Sequence, residues 1–85
     1  MKQFSYVVQD AMGIHARPAG QIVKLAKELK SQITIEKDGN VVDAKRLLAL
    51  MKLNVLQGEK ITISAEGEQE NEDLQRMEVF FRENL

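Results

Sequence analysis

The chain has 85 residues, of which 44% are hydrophobic and 29% charged, with a net charge of −1 and no cysteine. This length predicts a single domain over residues 1–85 with a small core, and the lack of cysteine excludes disulfides, thiolate catalysis and zinc–cysteine clusters. A net charge near zero argues against a dedicated nucleic-acid-binding protein. The chain has no apolar run long enough to span a membrane and no signal-peptide pattern, so we expect a cytoplasmic protein.

The first part of the chain shows a strand pattern followed by a helix pattern. Phe4, Tyr6 and Val8 alternate with polar residues, which predicts a half-buried strand. A loop over residues 10–13 follows. Apolar residues then recur at helical spacing, which predicts a helix over about residues 16–29.

The middle of the chain predicts a hairpin and a short helix. Residues 32–36 alternate as a strand, and Asp38-Gly39 is a tight-hairpin signal because both residues tolerate a positive φ. Residues 40–44 return as a short strand. Residues 47–53 then predict a helix that ends near Asn54, a residue type that tolerates the left-handed conformation.

The last part predicts one more strand and a final helix. Residues 60–65 alternate cleanly, and after Gly67 an acidic first turn begins a helix that buries Leu74, Met77 and Phe81. The order is β-α-β-β-α-β-α, and a right-handed crossover leaves room for the last strand between the first and the second. We therefore expect an α+β open-faced sandwich, a four-stranded antiparallel sheet covered on one face by three helices.

The motif over residues 13–19, Gly-Ile-His-Ala-Arg-Pro-Ala, holds the only histidine and the only proline. If His15 caps the first helix, the N–H groups of Ala16 and Arg17 are unpaired at its positive end and can bind an oxyanion. Pro18 fits the first turn, where a missing N–H costs nothing. Imidazole is a good nucleophile near neutral pH and arginine pairs with phosphate, so the motif suggests a phosphorylated histidine. Spacing alone leaves open an ordinary surface histidine beside a helix-starting proline.

The predicted helix over residues 47–53 is apolar on nearly all sides. Helical spacing divides its apolar residues into one arc of Ala49, Leu50 and Leu53 and another of Leu47, Leu48 and Met51. A small domain cannot bury both arcs, so we expect the first in the core and the second exposed as a contact patch. A fully buried helix is the alternative.

The histidine motif, the helix over residues 45–53 and the strand over residues 61–67 resemble the HPr family, the phosphocarriers of the phosphoenolpyruvate-dependent sugar phosphotransferase system. The resemblance covers essentially the whole chain. It implies that His15 accepts a phosphoryl group on Nδ1 from phosphorylated enzyme I and passes it to a histidine of an enzyme IIA component. It also implies that Arg17 and the N–H groups of Ala16 and Arg17 support the phosphoryl group. The implied protein is a carrier with a phosphohistidine intermediate, not a free-standing catalyst, and it needs no metal or other cofactor.

The resemblance also implies a surface for binding partner proteins. Its apolar contacts are Leu47, Leu48 and Met51, and its basic rim is Arg17, Lys24, Lys27, Lys45, Arg46 and Lys52. Residues 11–60 carry nine Lys and Arg against five Asp and Glu, whereas residues 61–85 carry two against seven. This imbalance suits acidic partners, although an ordinary solvated surface gives the same counts.

One position departs from part of the family. Gram-positive members carry a regulatory serine where this chain has Arg46, so we expect the seryl switch to be absent. Two other functions stay open: a related carrier with a regulatory or nitrogen-signalling output, and a regulatory binding module that acts without phosphorylation. We expect a monomer without membrane insertion.

Overall fold

The computed structural model describes residues 1–85 and contains every predicted element, and the ends of the five middle elements, for which bounds were predicted, differ by at most one residue. In chain order the elements are β1 (Lys2–Val7), α1 (Ala16–Glu28), β2 (Gln32–Lys37), β3 (Asn40–Asp43), α2 (Leu47–Lys52), β4 (Lys60–Glu66) and α3 (Glu70–Asn84). None of the three helices combines the length and the hydrophobicity that a membrane crossing requires.

The four strands form one antiparallel sheet in the order β1-β4-β2-β3. The last strand in the chain therefore lies between the first and the second, as predicted. Ile63 of β4 pairs with Phe4 on one side and with Ile35 on the other. Because side chains alternate along each strand, one face is apolar and covered by the helices, and the other carries polar residues such as Thr62 and Ser64. This is the predicted α+β open-faced sandwich.

The core lies between the sheet and the helices and forms one hydrophobic cluster. Phe81 of α3 is fully buried and meets the rings of Phe4 and Tyr6 edge to face, with ring centroids 6.2 and 5.8 Å apart. The prediction that α3 buries Met77 and Phe81 is confirmed, whereas Leu74 is only half-buried against the core. α3 packs against β1 and β4, while α2 packs against β3 and α1.

A buried pair of polar side chains fixes α3 to the start of β2. The Oδ2 atom of Asp73 accepts hydrogen bonds from the N–H of Ser31 at 2.9 Å and from its hydroxyl at 2.6 Å. Both residues are buried, and a buried carboxylate is tolerated only when it is hydrogen-bonded. One residue of the acidic first turn of α3, Asp73, thus holds the helix to the sheet through buried hydrogen bonds.

Candidate functional site

His15 occupies the N-cap position of α1, as predicted. Its backbone is extended, with φ −85° and ψ −175°, and its side chain makes no capping hydrogen bond. The carbonyl of His15 accepts the first bond of the helix from Ala19 at 3.0 Å, but the N–H groups of Ala16 and Arg17 have no acceptor in the protein. Two donors at the positive end of α1 are therefore free for an anion.

The imidazole of His15 is 31% exposed and contacts one charged group. Its Nε2 atom lies 3.5 Å from Oδ2 of Asp10, and its Nδ1 atom has no hydrogen-bond partner in the protein. The ring lines a shallow pocket together with Asp10, Arg17, Pro18, Gln21 and Asn84. The guanidinium of Arg17 makes no ion pair, so an unpartnered nitrogen and an unpaired cation share one pocket.

The loop before α1 is held by a close backbone contact with the segment that follows α2. Gly13 has a φ of +67°, and a Cβ atom there would lie 2.1 Å from the carbonyl oxygen of Val55. The next residue, Ile14, donates its N–H to the same oxygen at 3.0 Å. Because no side chain fits between the two segments, this contact sets the position of His15.

The segment after α2 is itself fixed by a lysine. Lys37 donates to the carbonyl of Asn54 at 2.7 Å and to Oε1 of Glu59 at 2.9 Å. The same Oε1 atom accepts the N–H of Leu56 at 2.7 Å. The Leu56 N–H bond and the Lys37 ammonium lower the pKa of the Glu59 carboxyl below its ordinary value, so the carboxylate is charged at neutral pH.

The short helix α2 divides its apolar residues between core and solvent. Leu50 is buried, with 1% exposure, and Leu53 is buried beside it. Leu47, Leu48 and Met51 are 41%, 73% and 39% exposed. The predicted exposed arc is therefore confirmed, and the fully buried helix is wrong. The predicted core position Ala49 is half-buried.

Part of this arc borders a groove between α2 and β3, an edge strand of the sheet. The predicted partner-binding residues that line it are Arg46, Leu47, Leu48 and Lys52. Val41 of β3, which is exposed, continues the apolar surface on the other side. Met51 and Lys45 lie outside the groove, and no residue of α2 reaches the His15 pocket.

The predicted basic rim consists of unpaired charges. None of its members makes a salt bridge, whereas Lys37, Arg76 and Arg82 elsewhere in the chain do. The rim members Arg17, Lys24 and Lys27 of α1 and Arg46 and Lys52 around α2 are exposed, and Lys45 is half-buried. Since α1 packs against α2, these charges belong to neighbouring elements and are available to a partner.

The structure adds residues that the sequence analysis missed. Asp10 and Asn84 line the His15 pocket, and Met12 and Leu56 are exposed apolar residues on the two loops that meet at Gly13. Aspartate in a loop favours an Asx turn, in which its carboxylate accepts the N–H two residues later, so the sequence offered a signal for Asp10. Nothing in the sequence links Asn84 to the histidine.

No group of three or more His, Asp or Glu side chains is placed to hold a metal ion.

Comparison with known sequences gives matches along nearly the whole chain. The family model of the phosphotransferase-system HPr component, described by its phosphorylation site, matches residues 2–83. The phosphocarrier protein HPr of Buchnera aphidicola is 42% identical over 71 residues, 84% of each chain. The HPr-like protein Crh of Bacillus subtilis is 36% identical over 85 residues, the full length of both chains.

Solved structures show the same fold. The histidine-containing phosphocarrier protein of Mycoplasma has a TM-score of 0.92 at 29% identity, covering 96% of this chain and 93% of its own. A crystal structure of Crh, described as a domain-swapped dimer, has a TM-score of 0.77 at 36% identity and covers 100% of this chain and 98% of its own. The fold and the element order thus have matched counterparts in solved structures.

Proposed function

The chain belongs to the HPr family of phosphocarrier proteins, and from that premise we propose that His15 accepts a phosphoryl group from phosphorylated enzyme I and transfers it to enzyme IIA components in sugar uptake. One observation carries the proposal. His15 occupies the N-cap position of α1, with its imidazole partly exposed beside two unpaired backbone N–H groups and the unpaired guanidinium of Arg17. With these partners the protein would act in the cytoplasm.

The proposed transfer is a displacement at phosphorus. The lone pair on Nδ1 of His15 forms a bond to phosphorus while the donor's bond to phosphorus breaks and its electron pair stays with the donor. The N–H groups of Ala16 and Arg17 and the Arg17 guanidinium offset the charge on the phosphoryl oxygens. Transfer between two histidines needs little driving force, so positioning and charge neutralisation supply most of the catalysis.

Labelling tests this function directly. Incubation with phosphoenolpyruvate and enzyme I is expected to give an acid-labile phosphoprotein, and addition of a sugar-type enzyme IIA is expected to remove the label. A nitrogen-type acceptor run in parallel separates sugar uptake from a related carrier with another output. A wild-type protein that takes no label, or that passes it only to the nitrogen-type acceptor, contradicts the proposal.

We propose that the exposed arc of α2, with Leu47, Leu48 and Met51, is the docking surface for both partners. The unpaired basic rim around it suits an acidic partner and mainly raises the association rate. Met12 and Leu56 are further exposed apolar residues, on the two loops that meet at Gly13. A charged side chain in the middle of such a surface places an unpaired charge where an apolar contact should form.

Leu47→Glu is therefore expected to weaken binding of enzyme I by about 2 kcal/mol, roughly a thirtyfold rise in Kd. Because Leu47 is 41% exposed, the free energy of unfolding should change little. Isothermal titration calorimetry measures the Kd, and urea unfolding measures the stability. Val79→Glu is the matched control, since Val79 is an exposed apolar residue on α3. Equal affinities of the two variants, or a large loss of stability in Leu47→Glu, would contradict the assignment.

A regulatory role is the second candidate, and the full-length similarity to Crh favours it. The retention of His15 and Arg17 supports phosphotransfer over a module that works without it. Arg46, at the N-cap position of α2, cannot accept a phosphoryl group from a serine kinase and adds a positive charge, so we propose that the seryl switch is absent. We also propose a monomer, although Crh itself is described as a dimer.

A further inference from the structure

Asp10 is fixed through three of its four polar groups. Its N–H donates to the backbone oxygen of Leu85 at 2.9 Å, and its carbonyl accepts the N–H of Gly13 at 2.9 Å. Its Oδ1 atom accepts the N–H of Met12 at 2.8 Å. The remaining atom, Oδ2, lies 3.5 Å from Nε2 of His15. The backbone thus orients the carboxylate so that its one free oxygen faces the imidazole.

We infer that Asp10 is a positioning residue for the phosphorylation of His15, an inference that rests on the proposed function. A carboxylate only accepts hydrogen bonds, so its position opposite Nε2 favours a proton on that nitrogen. A neutral imidazole with its proton on Nε2 has its lone pair on Nδ1. Asp10 therefore selects the tautomer that is nucleophilic at Nδ1, the ring nitrogen without a partner in the protein.

The same carboxylate offsets the charge that the transfer creates. When Nδ1 bonds to phosphorus and the donor's bond breaks, Nε2 keeps its proton and the imidazole ring becomes positively charged. Oδ2 of Asp10 lies on the Nε2 side of the ring, where a negative charge stabilises the product. Asp10 does not take up the proton, and in this it resembles the aspartate of a Ser-His-Asp triad, which also stays ionised.

Asp10→Asn separates this role from a merely structural one. The carboxamide oxygen can still accept the Met12 N–H, which turns the NH₂ group toward Nε2 of His15. An N–H donor in that place favours an Nε2 atom without a proton, which can accept the hydrogen bond. The proton of the neutral ring then lies on Nδ1, whose lone pair can no longer attack phosphorus. Asp10→Ala places neither an acceptor nor a donor near Nε2, so it shows the tautomer preference of the imidazole ring alone.

The tautomer is measured by ¹⁵N NMR of the imidazole at alkaline pH, and the single histidine of the chain makes the spectrum specific for His15. The wild type is expected to hold the Nε2–H tautomer, Asp10→Asn to move toward Nδ1–H, and Asp10→Ala to lie between them. The initial rate of labelling by enzyme I is expected to fall about tenfold in Asp10→Asn. Asp38→Asn, the same change in the exposed β2–β3 turn, should keep the wild-type tautomer and rate.

A tautomer ratio that is the same in the wild type and in Asp10→Asn overturns the inference. A shifted ratio with an unchanged labelling rate overturns it as well. The NMR measurement needs no enzyme I, so it is independent of whether the wild type accepts a phosphoryl group. A wild type that takes no label instead contradicts the proposed function.

Discussion

Replacing His15 with alanine is expected to abolish labelling by phosphoenolpyruvate and enzyme I, with a loss of at least about a thousandfold. The chain has no second histidine and no cysteine, so no other side chain offers an equivalent nucleophile. Arg17 and the free N–H groups of α1 would still bind an anion but could form no bond to phosphorus. Quantitative labelling of both proteins with the same enzyme I measures the effect.

The fold of His15→Ala is expected to stay intact. The imidazole is 31% exposed, makes no capping hydrogen bond, and has the Asp10 carboxylate as its one ion-pair partner. The free energy of unfolding in urea should therefore change by no more than about 0.5 kcal/mol. Labelling of His15→Ala at the wild-type level would refute His15 as the acceptor, and a loss of label together with unfolding would leave that assignment without support.

Gly13→Ala is expected to cause the largest loss of stability, about 3–5 kcal/mol, and to slow phosphorylation. A positive φ of +67° is strained for alanine, and its Cβ would lie 2.1 Å from the Val55 oxygen. Relief of that overlap requires separation of the two loops, which breaks the Ile14–Val55 hydrogen bond and displaces His15. Urea unfolding measures the first effect, and the initial labelling rate measures the second.

Gly39→Ala is the matched control for Gly13→Ala. Gly39 also has a positive φ, +84°, but a Cβ there would meet nothing within 4 Å. Gly39→Ala is therefore expected to lose only the free energy of backbone strain, about 1–2 kcal/mol of stability, with no change in labelling. Equal stability losses in the two variants would show that the contact with Val55 does not hold the loop.

The sequence was sufficient to predict features that depend on local pattern. Alternation and helical spacing gave all seven elements, and the handedness of the first crossover placed β4 between β1 and β2. The burial of Leu50 and the exposure of Leu48 followed from their angular separation on α2. His15 at the N-cap of α1 followed from the proline three residues later.

The parts that escaped prediction depend on contacts between distant segments. Asn84 comes to lie beside His15 because the end of α3 packs against the loop after β1, where the N–H of Asp10 donates to the backbone oxygen of Leu85. The contact between Gly13 and Val55 depends in the same way on how two loops meet in space. Periodicity describes which face of an element is buried, not which loop will lie against it.

The placement of α3 over β1 and β4, with α2 beside β3 at the other edge of the sheet, separates charge across the molecule. Residues 61–85 hold seven acidic and two basic side chains, and residues 11–60 hold the basic excess. A net charge of −1 therefore conceals a separation of charge, with an acidic excess in the segment that holds α3 and a basic excess in the segment that holds α1 and α2. Toward the acidic partner that we propose, such a separation of charge would orient the molecule while it is still diffusing, with the end bearing α2 foremost.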